Sequence, residues 1–444
     1  MKSDNIAAIA TAAGAAGVAV IRISGEDPLS VAEKVFAPSG KTAVRAFEPN
    51  KMYAGEIAAD GFTDFGLCVY FKAPKSFTGE DTVELHSHGG VAIAQGILRK
   101  VLSSGARLAE NGEFTKRAFM NGKLSLASAE GLIDMINSAS ASGVRAGYAL
   151  YRERLTLKVN AVQEELLAAL SQIDADMDFP EEGLEETSRE KVRETLEKTV
   201  SETDALLSTF ASARHAVSGV KAVICGKPNV GKSSLLNALI SYDKAIVSSI
   251  AGTTRDVVEG FADINGVRFN FYDTAGIRET DNDIENIGVR LSEKTVSGGD
   301  IVIFVLSATD IDGEDERVYD IIKDKPHITV VNKCDAGSVR DGRADLYVSA
   351  KENTGIDKLR DLLYAKTVGN VDLNGDFLCE ERHYRALKAA REKLESALLA
   401  IDTAPLDLLS VDILGGWRDL GEISGKTASE EIIDDIFSRF CVGK

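Results

Sequence analysis

The sequence predicts a multidomain fold of mixed α/β and all-α parts, in which a helical domain is interrupted by an inserted domain with a mostly parallel sheet. Three observations predict it. A chain of 444 residues is too long for one ordinary core, so two or three domains are expected. A helical pattern of apolar residues sets in near residue 121, stops near 216 and returns near 379. Between the last two points, continuous apolar runs such as "DIVIFVLSATD" and "HITVVNKCD" have the character of strands buried in a parallel sheet.

Residues 1–120 mix β-branched runs, "GVAVIRISG" and "FGLCVYFKA", with an amphipathic helix near "AIAQGILRKVLSSG", which gives an α+β domain. In residues 121–215, Leu155, Val159, Val162, Leu166, Leu170 and Ile173 recur at intervals of three and four, as one buried helix face requires. Pro180 and the acidic run "DFPEEGLEE" break that helix, and "SREKVRETLEKTVSETDALLSTF" resumes it with Ser188 expected as N-cap. Residues 216–378 form the inserted domain. Residues 379–444 complete the helical domain and end in "CVGK". Insertion leaves two chain crossings as a hinge, suited to passing motion from one domain to the other.

A formal net charge of -18 repels a phosphate backbone on average, which excludes an indiscriminate nucleic-acid binder and leaves room only for local RNA contacts. The five cysteines are scattered and lack metal-ligand spacing, so reduced thiols in a cytoplasmic protein are expected. No apolar stretch approaches the roughly 20 residues that span a bilayer, so neither a membrane segment nor a secretion signal is expected. The tail is a poor prenylation signal because Gly443 and Lys444 stand where that signal wants other residues. His86 and His88, two apart on a strand, point to the same side, but no further metal ligand accompanies them, and a hydrogen-bonding role is expected.

The inserted domain carries the chemistry. "VKAVICGKPNVGKSSLLNALI" is a strand, a glycine-rich loop and a helix in the phosphate-loop pattern. Gly226 and Gly231 let backbone N–H groups turn inward around a phosphate, with Asn229, Val230 and Ser234 completing the loop. Lys232 brings positive charge to the β and γ phosphates, and Ser233 offers its hydroxyl to Mg²⁺. Downstream, in order, come the stretch with Ser248, Ser249, Ile250, Thr253 and Thr254, then Asp273, Thr274, Ala275 and Gly276, then Asn332, Lys333 and Asp335, and finally Ser349, Ala350 and Lys351. Asp273 ends a strand and suits the Mg²⁺ shell, while Gly276 can give a backbone N–H to a γ-phosphate. The Asp335 carboxylate can accept from N1–H and the 2-amino group of guanine, which adenine cannot offer. The set points to GTP and resembles the G domain of translation-factor-class GTPases.

Ile277 occupies the place of the water-orienting glutamine, and an isoleucine cannot polarise water. Glu285, on a new helix-like run, can swing in as general base, although the same spacing suits a solvated acidic face. A monovalent cation can replace an arginine finger. The Asn229 side chain and backbone oxygens of "VSSIAGTT" can ligate it, although an asparagine also serves simply as a turn residue.

"GKPNVGKSS", "IAGTTRD" and "DTAGIRE", together with "FTGEDTVELHSHGG", "GEFTKRAFMNGKLSL", "DFPEE" and the terminal Phe-Cys-Val-Gly-Lys, resemble the bacterial and organellar tRNA-uridine-modification GTPases of the MnmE or TrmE family across essentially the whole chain. The resemblance implies a potassium-activated GTPase that forms a homodimer through its G domains. It also implies an FAD-dependent partner, in a heterotetramer or larger complex, with which C5 of the wobble uridine of certain tRNAs is modified using a tetrahydrofolate one-carbon unit. It implies K⁺ ligands at Asn229, Ser248, Ile250 and Thr253, Mg²⁺ ligands at Ser233 and Thr254, and Glu285 as the catalytic glutamate. The N-terminal domain is expected to be a folate-binding-like and dimerisation domain. Its 5-formyl- or 5,10-methylene-tetrahydrofolate is expected on Arg22, Glu84, Lys123 and Lys444, with Cys441 beside it. This sequence departs from the family in Ser248, where threonine is common, and in "TAAGAAG", where a proline pair is common. The alternative reading is a regulatory P-loop GTPase of ribosome or RNA–protein assembly without modification chemistry. It predicts a basic RNA-binding appendage that the sequence lacks.

Overall fold

Alternation along single strands builds both sheets of the protein, seen here in a computed structural model that describes residues 4–178, 185–241, 260–273, 298–369, 371–372 and 375–443. The chain divides into two compact units. One joins Met1–Ile133, Leu150–Leu167 and Trp417–Lys444, and the other joins Asp134–Ala149 and Ala168–Gly416.

The first unit contains β1 (Ile6–Ile9), β2 (Ala16–Gly25), β3 (Phe36–Pro38), β4 (Met52–Ala58), β5 (Thr63–Phe71), β6 (Asp81–Gly89) and β7 (Arg107–Leu108). They form one sheet in the order β3-β4-β5-β6-β2-β1-β7, antiparallel except for the β1–β7 pair. In β6, Val83 and Leu85 point inward to a core that includes Ile21, Ile23 and Ile57 and the helix residues Ile97 and Val101. That helix is Val91–Ser103, where the sequence predicts it. The intervening β6 residues Glu84 and His86 therefore face the other way, as a period of two demands. A second apolar cluster joins Leu126 and Ala129 to Phe437 and Phe440, and so fixes the helix Glu430–Ser438 in this unit.

The second unit carries β8 (Val220–Cys225), β9 (Gly260–Ile264), β10 (Val267–Asp273), β11 (Ile301–Ser307), β12 (His327–Asn332) and β13 (Leu346–Tyr347), in the order β13-β12-β11-β8-β10-β9. Only β9 and β10 pair antiparallel, so the sheet is mostly parallel, as expected. Every residue of β11 is buried. Ile301, Ile303 and Val305 belong to one core, and Val302, Phe304 and Leu306 to the core on the opposite face, so the apolar run is continuous because both faces are covered. The helix Glu185–Ser218 packs along Glu381–Ala400, with Phe210 and Tyr384 stacked at 4.4 Å between ring centroids.

In the helix Arg154–Asp178, all six residues predicted as its inner face are buried. Ser188 is not an N-cap. The next helix already begins at Glu185, because nothing in the three residues before Ser188 breaks a helix. Among the described residues, no helix is long and apolar enough to cross a membrane.

Candidate functional site

Strand β8 delivers the chain into the phosphate loop, and the helix Lys232–Ser241 leads out of it. Two glycines are required by space as well as by angle. At Gly226 (φ +150) a Cβ would lie 2.3 Å from the Val305 carbonyl oxygen, and at Gly231 (φ +95) it would lie 2.5 Å from Asn332 Nδ2. Asn229 holds the left-handed conformation (φ 63) that asparagine tolerates better than most residues. Val230 is buried beneath the loop.

Lys232 is largely buried, and its Nζ donates to the carbonyls of Gly226 at 2.8 Å and Lys227 at 3.0 Å. Desolvation lowers its pKa, partly opposed by Asp273. Ser233 Oγ donates to Asp273 Oδ2 at 3.3 Å, because β10 runs parallel to β8 with Asp273 opposite Ile224. A hydroxyl and a buried carboxylate at the helix start are the hard oxygen donors that Mg²⁺ takes, so these residues fit that ion.

The motifs expected to read the base converge on the same loop. Asn332 Nδ2 donates to Val230 O at 3.0 Å, and Asn332 Oδ1 accepts from Ala350 N at 3.0 Å. One buried amide thus ties the phosphate loop to the Ser349–Lys351 turn. Lys333 Nζ donates to Asn229 O at 2.6 Å. Ser349 Oγ donates to Asp335 Oδ1 at 2.6 Å, and this bond, more than any other influence, holds the Asp335 carboxyl below its usual pKa. An ionised acceptor is what the guanine edge requires. Ser248, Ser249, Ile250, Thr253, Thr254, Thr274, Ala275, Gly276 and Glu285 lie outside the described residues, as does Lys444.

A second polar site lies in the first unit. Arg22 and Glu84 are directly opposed in the β2–β6 register, and Arg22 Nε donates to Glu84 Oε1 at 2.8 Å. The guanidinium faces the rings of Phe77 and Phe114 at 5.5 and 5.7 Å. Burial would raise the Glu84 pKa, but bonds from His86 and Arg22 outweigh it and keep the carboxyl low. Lys123 Nζ donates to Pro74 O at 2.9 Å, on the loop that carries Phe77, while Asn121 Nδ2 holds Thr78 O at 2.8 Å. A half-buried carboxylate paired with an arginine beside two aromatic rings fits the planar, N–H-bearing ring of a pterin.

The tail reaches this unit's sheet. Val442 pairs with Asn111 in an antiparallel bridge, and Gly443 (φ +102) lies so close to β1 that a Cβ would sit 2.3 Å from Ile9 O. Cys441 is exposed. His86 bonds Glu84 at 3.3 Å and His88 bonds Asp64 at 2.7 Å, as hydrogen-bonding partners do. Among the described residues, the one grouping with metal-ligand geometry is elsewhere, at Asp134, Cys379 and Glu380. Sequence reasoning missed Phe77 and Phe114, whose part depends on loops brought together by folding. It also missed Lys227, at a position the phosphate-loop pattern leaves open.

Residues 5–123 match the family described as the GTP-binding protein TrmE N-terminus, and residues 126–441 match the MnmE helical domain. The tRNA modification GTPase MnmE of Acetivibrio thermocellus is 38% identical over 459 residues, with 100% of each chain covered. The proteins of that name from Thermoanaerobacter pseudethanolicus and Desulforamulus reducens are 37% and 38% identical, again with 100% of each chain covered. The site geometry, both domain matches and full-length identity agree: the chain belongs to the MnmE family of tRNA modification GTPases.

Proposed function

We propose that this GTPase is potassium-activated and couples GTP hydrolysis to modification of the wobble uridine of certain tRNAs at C5, as a cytoplasmic homodimer working with an FAD-dependent partner. The observation that carries the reading is the Asn332 side chain, which joins the phosphate loop at Val230 to the Ala350 amide and thereby makes one guanine-nucleotide site from motifs far apart in sequence.

The residues divide the work. Lys232 exchanges its carbonyl partners for the β and γ phosphates and neutralises charge that develops as the γ-phosphoryl group leaves. Ser233 and Thr254 would hold Mg²⁺ with Asp273 in its shell, and Asp335 reads guanine. Glu285 orients the water whose oxygen bonds to the γ-phosphorus as the bond to the β–γ bridging oxygen breaks, giving GDP and phosphate. Asn229, Ser248, Ile250 and Thr253 would hold K⁺, which would supply the positive charge an arginine finger otherwise brings. Bound tetrahydrofolate supplies a one-carbon unit. Arg22, Glu84, Lys123 and Lys444 would hold and orient it, and Cys441 is a candidate for a further role there.

The test is GTP turnover in KCl against NaCl at equal ionic strength, for wild type and Glu285→Ala. Turnover is expected to rise at least about tenfold in KCl and to fall by about 10²–10⁴ in the variant, the range for loss of a general base. Equal slow rates in both salts would remove the potassium site. Folate binding to the purified protein tests the second site independently.

A further inference from the structure

Lys227 sits second in the phosphate loop, where its side chain is 8% exposed and yet charged. Its Nζ lies 3.1 Å from Asp310 Oδ2, 3.0 Å from Asp312 Oδ2 and 3.1 Å from Asp315 Oδ2. Asp310 and Asp312 come from the turn between β11 and the helix Gly313–Ile322, and Asp315 from the first turn of that helix. That turn is braced by its own bonds: Asp312 Oδ1 accepts from Glu314 N at 2.9 Å, and Asp315 Oδ2 accepts from Asp312 N at 3.0 Å. Burial would lower the lysine's pKa, but the three carboxylates overcome it and hold the ammonium charged. Asp315 is completely buried, so this pairing is not a loose surface contact.

The other end of the same residue touches the nucleotide machinery. The Lys227 carbonyl accepts from Lys232 Nζ at 3.0 Å, beside Gly226 O at 2.8 Å. Between Gly226 and Gly231, Lys227 is a point of the loop whose charged side chain is fastened to the turn after β11 and to the start of the helix Gly313–Ile322.

We propose that Lys227 is a positioning residue for guanine nucleotide binding, whose ammonium, held by Asp310, Asp312 and Asp315, pins the first half of the phosphate loop and so aims Lys232 at the phosphates. This rests on the reading of the loop as a GTP site. Pinning removes disorder that binding would otherwise have to remove, so it raises affinity for GDP and GTP alike. Losing the ammonium also leaves three carboxylates close to an anionic ligand.

The test compares the full chain with Lys227→Met, Lys227→Arg and Asp312→Asn, measuring dissociation constants for a fluorescent GDP analogue and steady-state GTP turnover. Lys227→Met is expected to raise both the Kd and the KM by about tenfold, with less than about a threefold change in kcat. Lys227→Arg keeps the charge and falls between the two. The double variant Lys227→Met/Asp312→Asn binds no worse than Lys227→Met, since both break one clamp. A folded Lys227→Met that binds GDP within about twofold of wild type overturns the proposal, even if its melting temperature falls. Should Lys227→Met fail to fold, Asp312→Asn decides at the half-exposed member of the clamp: a severalfold weaker Kd supports the clamp, and an unchanged Kd overturns it. Failure of wild type to bind the GDP analogue would instead overturn the site reading itself.

Discussion

Ser349 Oγ lies 2.6 Å from Asp335 Oδ1, so the carboxylate proposed to read the base is aimed by a hydroxyl from the neighbouring motif. Asp335→Asn keeps an acceptor for N1–H but replaces the second acceptor with a donor on the side facing the 2-position, where guanine carries its amino group and xanthine a carbonyl. GTP affinity should fall about 10- to 100-fold while xanthosine triphosphate, which presents an acceptor there, gains; competition binding of the two nucleotides checks it. Asp335, Lys232 and Asn332 could be picked out in the sequence because each stands at a fixed place in a short motif, Lys232 at the start of the helix Lys232–Ser241 and the other two at or just after the end of β12. Lys227 could not, because Asp310, its first partner, lies 83 residues away and only the parallel pairing of β8 and β11 brings the two segments together. The thiols divide the same way. Scatter along the chain suggested reduced thiols, and none of the five is in a disulfide, but only folding shows that burial pushes Cys68 and Cys225 up to about 12 while Cys441 is exposed.

The helix Glu185–Ser218 ends against the G-domain sheet through His215, whose Nδ1 lies 3.0 Å from Thr367 O and whose Nε2 lies 3.5 Å from Asp300 Oδ1. Both partners are acceptors, and a neutral imidazole has one N–H, so the geometry favours the imidazolium. Its pKa is raised, chiefly by the Asp300 bond and further by Thr367, against opposition from burial and Arg214. A raised folded pKa contributes stability fully present below the unfolded value of about 6.5 and lost as pH rises through the folded value. Asp300, held low by His215 and Lys221 N despite its burial, stays ionised throughout that range. Thermal melts should therefore show His215→Gln most destabilised relative to wild type near pH 6, with the gap closing by about pH 9. At this scale the helices with one clean apolar face, such as Arg154–Asp178, were legible from spacing alone. The start at Glu185 was missed because a good capping residue at Ser188 says where a helix can begin, not where it does.

Over the whole molecule, changes of periodicity mark where the character of the chain changes, but they do not say which segments fold together. The first unit draws its last pieces from Trp417–Lys444, tied by Asn111–Val442 pairing and by Lys116 Nζ on Asp434 Oδ1 at 2.6 Å. Gly443→Ala places a methyl against Ile9 O in a backbone region costly for alanine. It should loosen the tail and cost about 1–3 kcal/mol of the first unit's stability, seen as faster amide exchange around Asn111 and Gly112. That discontinuity also sets a schedule. Asn111 Nδ2 meets Ser438 O, 327 residues later. At ribosomal speeds of about 5–20 residues per second, the early strands emerge roughly 16–65 s before the segment that completes their unit. The sheet carrying the phosphate loop is finished within that interval. A nascent chain therefore carries its nucleotide site before its N-terminal unit has closed, and the first-made part of the protein is the last to be completed.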